Sequence, residues 1–132
     1  MVEASAAVMD LRRRDARDKL TGRTRYTADR AAPAMLHAAV LRAEASAGRI
    51  VRLDTAKAAS MPGVRAIITA ADAPGRTGIR IADHPLFAVD VVRYVGEPLA
   101  AVAAETLAQA RAALDAIEVE IAPLPAVVTM AE

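Results

Sequence analysis

Between residues 91 and 105 the chain reads Val-Val-Arg-Tyr-Val, then Gly-Glu-Pro, then Leu-Ala-Ala-Val-Ala-Ala-Glu. Two runs of β-formers are parted by residues that interrupt a strand. Gly96 admits backbone angles closed to other residues, and Pro98 has no N–H for a ladder, so it fits only at a strand's opening position. Thr106 follows at once with Gln109 three residues on, the spacing of a capping box. Strand, bend, strand and helix start within so short a span predict a fold that mixes α and β. Arg93, Tyr94, Gly96, Glu97 and Pro98 are the candidates for a structural bend or an interface. Gly96 and Pro98 serve backbone geometry. Glu97 is read first as a solvated turn carboxylate. Its functional reading is a polar contact to a partner or cofactor.

The remaining elements follow from the same signals. Residues 35–42 form a first strand, ended by Pro33 on one side and the small residues 43–48 on the other. Residues 49–54 alternate as a half-buried strand, with Val51 and Leu53 sharing one face and Ile50 on the other. Asp54 or Thr55 caps a short helix over 56–60, which Met61-Pro62-Gly63 stops. Residues 64–69 form a strand. Residues 70–84, with Pro74, Gly75 and Gly78, read as a loop longer than most connections, which points to function or flexibility. Strands are expected over 91–95 and 99–103. Behind the capping box, Leu107, Ala110, Leu114 and Ile117 recur at helical spacing and predict one buried face. Residues 118–121 alternate as an edge-like strand, ended by Pro123 and Pro125. The expected class is α+β (mixed α/β), with a small mixed β-sheet, one short helix and one longer helix. Residues 1–20 read as an N-terminal arm and residues 21–132 as the domain.

Composition excludes several kinds of chemistry. There is no cysteine, so this chain offers no disulfide, no thiol nucleophile and no thiolate for an iron–sulfur cluster. That absence fits a reducing cytoplasm. His37 and His84 lie far apart in different contexts, so no metal site is expected from this chain. Neither histidine nor any serine lies in a recognisable catalytic signature, and no Gly-rich phosphate loop is present. No catalytic, cofactor-binding or metal-binding residue is therefore expected. The net charge is +1, and residues 1–30 carry eight Arg or Lys against five Asp or Glu. Arg12-Arg13-Arg14 is interleaved with Asp10, Asp15 and Asp18 and lacks a neighbouring aromatic, so it reads as a solvated arm rather than a nucleic-acid site. The start, Met1-Val2-Glu3-Ala4, resembles no signal peptide, and no run approaches the roughly 20 apolar residues of a membrane span. A cytoplasmic protein with no membrane partner is the expectation. Only 2% of residues are aromatic and much of the apolar content is alanine. The core is accordingly thin: either its elements approach closely, or the piece gains stability by packing on something larger.

Several segments in order carry a resemblance. Thr21-Gly22-Arg23-Thr24-Arg25-Tyr26-Thr27-Ala28-Asp29 opens the series. Met35-Leu36-His37-Ala38-Ala39-Val40-Leu41-Arg42 and Arg49-Ile50-Val51-Arg52-Leu53-Asp54-Thr55 follow. Met61-Pro62-Gly63-Val64, Thr69-Ala70-Ala71-Asp72, Arg93-Tyr94-Val95-Gly96-Glu97-Pro98 and Ile117-Glu118-Val119-Glu120 complete it, with Leu124-Pro125-Ala126-Val127 at the end. Together they resemble the N-terminal a/b hammerhead domain of the large, molybdopterin-binding subunit of the molybdenum hydroxylases, the xanthine dehydrogenase and aldehyde oxidase family. The match runs from about residue 12 to the end. One departure is Ala43-Glu44-Ala45-Ser46-Ala47-Gly48, where the family often has Ser-Pro-His-Ala-His-Ala; a flexible turn is expected in place of a rigid one. The family's molybdenum-contacting glutamine and catalytic glutamate lie beyond this region. The resemblance implies an oxidoreductase that hydroxylates N-heterocycles or aldehydes with water as oxygen donor, using molybdopterin, [2Fe–2S] clusters and FAD held on other domains or subunits. This chain would be its non-catalytic scaffold, packed against the rest of the large subunit and toward the iron–sulfur and flavin parts. By the same resemblance the loop over 78–82 approaches the substrate funnel, making Ile79, Arg80 and Ile81 funnel candidates. The alternative is a free-standing module that binds a small molecule or protein without enzymatic activity.

Overall fold

A computed structural model describes residues 13–127 and 129–130. The chain divides into two compact units, Met1–Pro33 and Ala34–Glu132. The first unit contains helix α1 (Ala16–Leu20) and a single 3-10 turn, Thr27–Asp29. Lys19 and Arg13 each reach the Asp15 carboxylate at 2.7 Å. The Lys19 hydrogen bond is the main cause holding that carboxyl below its ordinary range. The part of the expected arm over residues 1–12, Arg12 included, lies outside the described residues.

The second unit runs β1 (His37–Arg42), β2 (Gly48–Asp54), α2 (Ala56–Ala59), β3 (Val64–Thr69), β4 (Arg76–Thr77), β5 (His84–Pro85), β6 (Val91–Val92), β7 (Pro98–Ala104), α3 (Leu107–Asp115) and β8 (Glu118–Pro123). The α+β class is as the sequence predicts, with its strands divided among separate sheets. One sheet has the order β1-β7-β3, another β6-β2-β8, and β4 pairs with β5 alone. Every ladder is antiparallel. Helix α3 packs on the first sheet against β1, β7 and β3. Thr106 caps it as expected: its Oγ1 accepts the Gln109 N–H at 3.2 Å, and the Gln109 side chain accepts the Thr106 N–H at 3.0 Å. The core consists of two apolar clusters. One gathers Ala58, Ala100, Val102, Ala113 and Ile117, the other Ala43, Ala88, Val92 and Leu99. Leu41 and Val119 pack against both.

Three local expectations are corrected. In β2 the pairing with β8 steps from Ile50↔Ile121 to Arg52↔Glu120, leaving Val51 as the extra residue of a bulge. A bulge shifts the alternation by one residue. Ile50 and Leu53 are therefore half-buried, while Val51 is 56% exposed and does not share Leu53's face. The strand expected over 91–95 stops at Val92, because the next N–H is taken by a side chain, as described below. In α3 the buried face is Ala110 and Ala113, with Ile117 just past the helix end, while Leu107 is 41% exposed. Side chains tilt toward a helix's N-terminus, so one in the first turn leans out past the strands.

Candidate functional site

The bend between β6 and β7 is built around a carboxylate. Glu97 is 1% exposed, the only buried charged side chain among the described residues. Its Oε2 accepts the Arg93 backbone N–H at 2.6 Å, and its Oε1 accepts from Arg93 Nη1 at 3.3 Å. This corrects the expectation of a solvated turn residue. The cause is steric and electrostatic together. Pro98 starts β7 directly after Glu97, whose buried side chain needs hydrogen-bond donors. The Arg93 N–H is the backbone donor it takes, and β6 ends at the residue before, Val92.

The bend is also stitched to the end of β1. The Ala43 N–H donates to the Glu97 carbonyl at 2.9 Å, and the Gly96 N–H donates to the Ala43 carbonyl at 2.7 Å. Arg42 Nη1 donates to the Gly96 carbonyl at 2.8 Å. Gly96 has φ +90°, and a Cβ there would meet nothing within 4 Å, so its glycine answers to backbone conformation alone. The segment that departs from Ser-Pro-His-Ala-His-Ala is pinned at both ends, since Ala47 also accepts the Leu124 N–H at 3.1 Å.

The segment expected as a loop over 70–84 contains the short ribbon β4–β5, with Thr77 opposite His84. Its tip carries Ile79, 105% exposed, and Ile81, 72% exposed, with Arg80 also exposed. The tip is tight: a Cβ on Gly78 would collide with the Ile81 carbonyl oxygen. Tyr94 joins ribbon to bend. Its ring stacks on His84 at a centroid distance of 6.2 Å and an interplanar angle of 24°, and its hydroxyl lies 3.4 Å from His84 Nε2. The structure thus brings the Arg93–Pro98 bend and the base of the ribbon together, while the apolar tip stands clear. His84 was not among the sequence candidates. Ten residues separate it from Tyr94, and no spacing rule connects them.

A cleft of about 450 Å³ lies elsewhere, between Leu41, Leu99, Leu114, Ile117, Val119 and Ile121, with Arg42, Glu44 and Asp115 as its charged lining. It shares no residue with the ribbon tip. Among the described residues no three His, Cys, Asp or Glu side chains converge to hold a metal. Glu97, the one buried carboxylate among them, already has Arg93 on both oxygens. The sequence has no cysteine, so it offers no thiolate to an iron–sulfur cluster. No described helix is long and apolar enough to cross a membrane.

Residues 21–125 match the sequence pattern of the aldehyde oxidase and xanthine dehydrogenase a/b hammerhead domain. The chain belongs to that family. It is 48% identical over 110 residues to a probable xanthine dehydrogenase subunit of Bacillus subtilis, covering 82% of this chain and 15% of that protein. It is 40% identical over 118 residues to the nicotinate dehydrogenase large molybdopterin subunit of Eubacterium barkeri, covering 88% of this chain and 28% of that one. Its fold superposes on the crystal structure of quinoline 2-oxidoreductase from Pseudomonas putida 86 with a TM-score of 0.83 at 38% identity, covering 92% of this chain and 17% of that chain. The hammerhead chain thus spans well under a third of the length of these relatives, which are oxidoreductase subunits.

Proposed function

We propose that this hammerhead chain is a non-catalytic scaffold within a cytoplasmic molybdenum hydroxylase that hydroxylates an N-heterocycle or an aldehyde with oxygen from water. Residues 21–132 form the working domain and residues 1–20 an arm. The reaction centre, molybdopterin with its metal, sits on the remainder of the large subunit, and [2Fe–2S] clusters and FAD sit on further domains or subunits. The observation that carries this reading is a family match over residues 21–125 in a chain that spans less than a third of its relatives' length.

Within that enzyme the ribbon tip lines the substrate funnel. Ile79 and Ile81 offer apolar surface to a heterocycle or aldehyde, Arg80 offers a cation to polar substituents, and the Tyr94–His84 stack fixes the ribbon's base. Arg93, Gly96, Glu97 and Pro98 hold the bend that places it. The chain purified free of other polypeptides is expected to turn over none of xanthine, nicotinate or benzaldehyde; turnover by the lone chain would end the scaffold reading. In the assembled enzyme, Ile79→Trp and Ile81→Trp are expected to raise KM for bulky substrates while kcat for the smallest aldehyde holds. Unchanged KM across substrate sizes would remove the tip from the funnel.

A further inference from the structure

The sheet β1-β7-β3 has two faces, and only one is covered. The inner face meets α3. On the outer face the ladder registers align two rows: Val40–Ala101–Ile68 and Ala38–Ala103–Ala66. No polar side chain interrupts either row. Val40 and Ile68 are 39% and 43% exposed, and Ala38 and Ala66 are exposed as well. An antiparallel sheet with one wet face alternates apolar and polar residues; a strand covered on both sides reads as a continuous apolar run. Strand β7 reads Pro-Leu-Ala-Ala-Val-Ala-Ala, the second pattern. Sequence and register agree that this sheet is made to be covered twice. At the end of the face stands the Arg65–Glu105 ion pair, a polar rim beside an apolar centre.

From the geometry we infer the occupant: a helix of the same large subunit, lying along the strands opposite α3. This rests on the scaffold reading above. Strand spacing of about 4.8 Å and a rise of about 3.3 Å per residue make the face roughly 200 Å². A stable interface between separate proteins needs about 800 Å² on each partner. A second copy of this chain, or a freely diffusing partner, gains too little here to stay bound. A segment tethered in the same polypeptide needs far less contact, because its effective concentration is high. Three strands span about one helix diameter of 10–12 Å, so one helix fits and a second sheet would overhang. The alanine row lets that helix approach closely, and Val40 and Ile68 give it two branched side chains to pack between.

The chain has no cysteine of its own, so an introduced thiol is a clean reporter. Ala66→Cys and Ala103→Cys would be placed in the free chain and in the assembled enzyme, and maleimide labelling read by mass spectrometry on the peptide that carries the substitution. Labelling of A66C in the free chain and its loss in the assembled enzyme is the expected result. Labelling of A66C equally fast in both would overturn the covered face. A benzophenone carried on the A66C thiol should then photo-cross-link to a helix of the same subunit. Cross-links to a second copy, or to an iron–sulfur or flavin subunit, would overturn the occupant. Failure of the chain to assemble with a molybdopterin-containing polypeptide would instead sink the scaffold reading itself.

Discussion

Glu97 is taken out of water, and its stability contribution depends on one neighbour, Arg93. Removing one partner of a buried charged contact leaves the other group's desolvation uncompensated, which costs more than the contact itself contributes. Glu97→Ala strands the Arg93 N–H and opens a void, so it is expected to lower unfolding free energy by about 2–3 kcal/mol. Glu97→Gln keeps a carbonyl oxygen for the Arg93 N–H and loses only the ion pair, so its loss should be under half of that. Urea midpoints of the two variants decide the matter, and equal midpoints for Glu97→Ala and the parent would show the carboxylate idle. Gly96 makes a separate test at the same bend. With open space at its Cβ position, only the backbone resists substitution. Gly96→Ala and Gly96→Val should each cost about 1–2 kcal/mol, and Gly96→Asn clearly less, because Asn tolerates positive φ through local hydrogen bonds. An unchanged midpoint for Gly96→Ala would show that the bend tolerates a Cβ at positive φ.

At the level of elements, two aspartates, Asp54 half-buried and Asp72 exposed, close the turns that start and end regular structure. Asp54 Oδ1 accepts the Ala56 N–H at 2.9 Å at the start of α2, and its other oxygen receives Arg52 at 2.7 Å. Asp72 accepts the Thr69 N–H at 2.8 Å and the Thr69 hydroxyl at 3.0 Å just after β3. The Arg52 hydrogen bond chiefly holds the Asp54 carboxyl below its ordinary 3.8, and the Thr69 N–H does the same for Asp72. Both groups bind protons less readily folded than unfolded. Their stabilisation is therefore complete above 3.8 and is lost as pH falls below it through the folded values. Asp72→Asn should flatten the fall in urea midpoint between pH of about 5 and about 3 by lowering the upper end, with variant and parent converging at the acid end. An acid limb as steep as the parent's would acquit Asp72. The Asp54 turn, the α3 capping box and the opening of β7 by Pro98 were legible because each rests on chemistry within four residues. The bulge at Val51 was not, since it is set by which β8 residue stands opposite. Nor was the burial of Glu97, because a Gly-Glu-Pro turn is ordinarily solvated and only the packing of β1's end against it removes the water. The stacking of Tyr94 on His84 likewise depends on a ribbon folding back, which no local spacing records.

For the molecule as a whole, the balance between self-sufficiency and dependence turns on how little each core residue buries. Both clusters lean on alanine, and a buried alanine methyl removes far less apolar area from water than a leucine or phenylalanine. Phe87 is the only aromatic in the buried set among the described residues. The backbone part of the conformational entropy loss is much the same per residue, so a fold of this size built on small residues keeps a narrow margin. The sheet β1-β7-β3 concentrates that deficit, with its outer rows open to solvent. Contact with the folded state alone stabilises by mass action, and a tethered contact does so strongly. Amide hydrogen exchange should resolve this element by element. In the free chain the β1 and β3 amides, at the sheet's edges, should open readily by local unfolding, while β7 exchanges more slowly. In the assembled enzyme all three strands should slow, with β1 and β3 gaining most, and the tip over 78–82 should stay fast in both because its own residues lie beyond the β4–β5 ladder. The same exchange pattern in the free chain and in the enzyme would mean that the domain's own alanine core suffices, and that its two-sided apolar sheet tolerates water unaided.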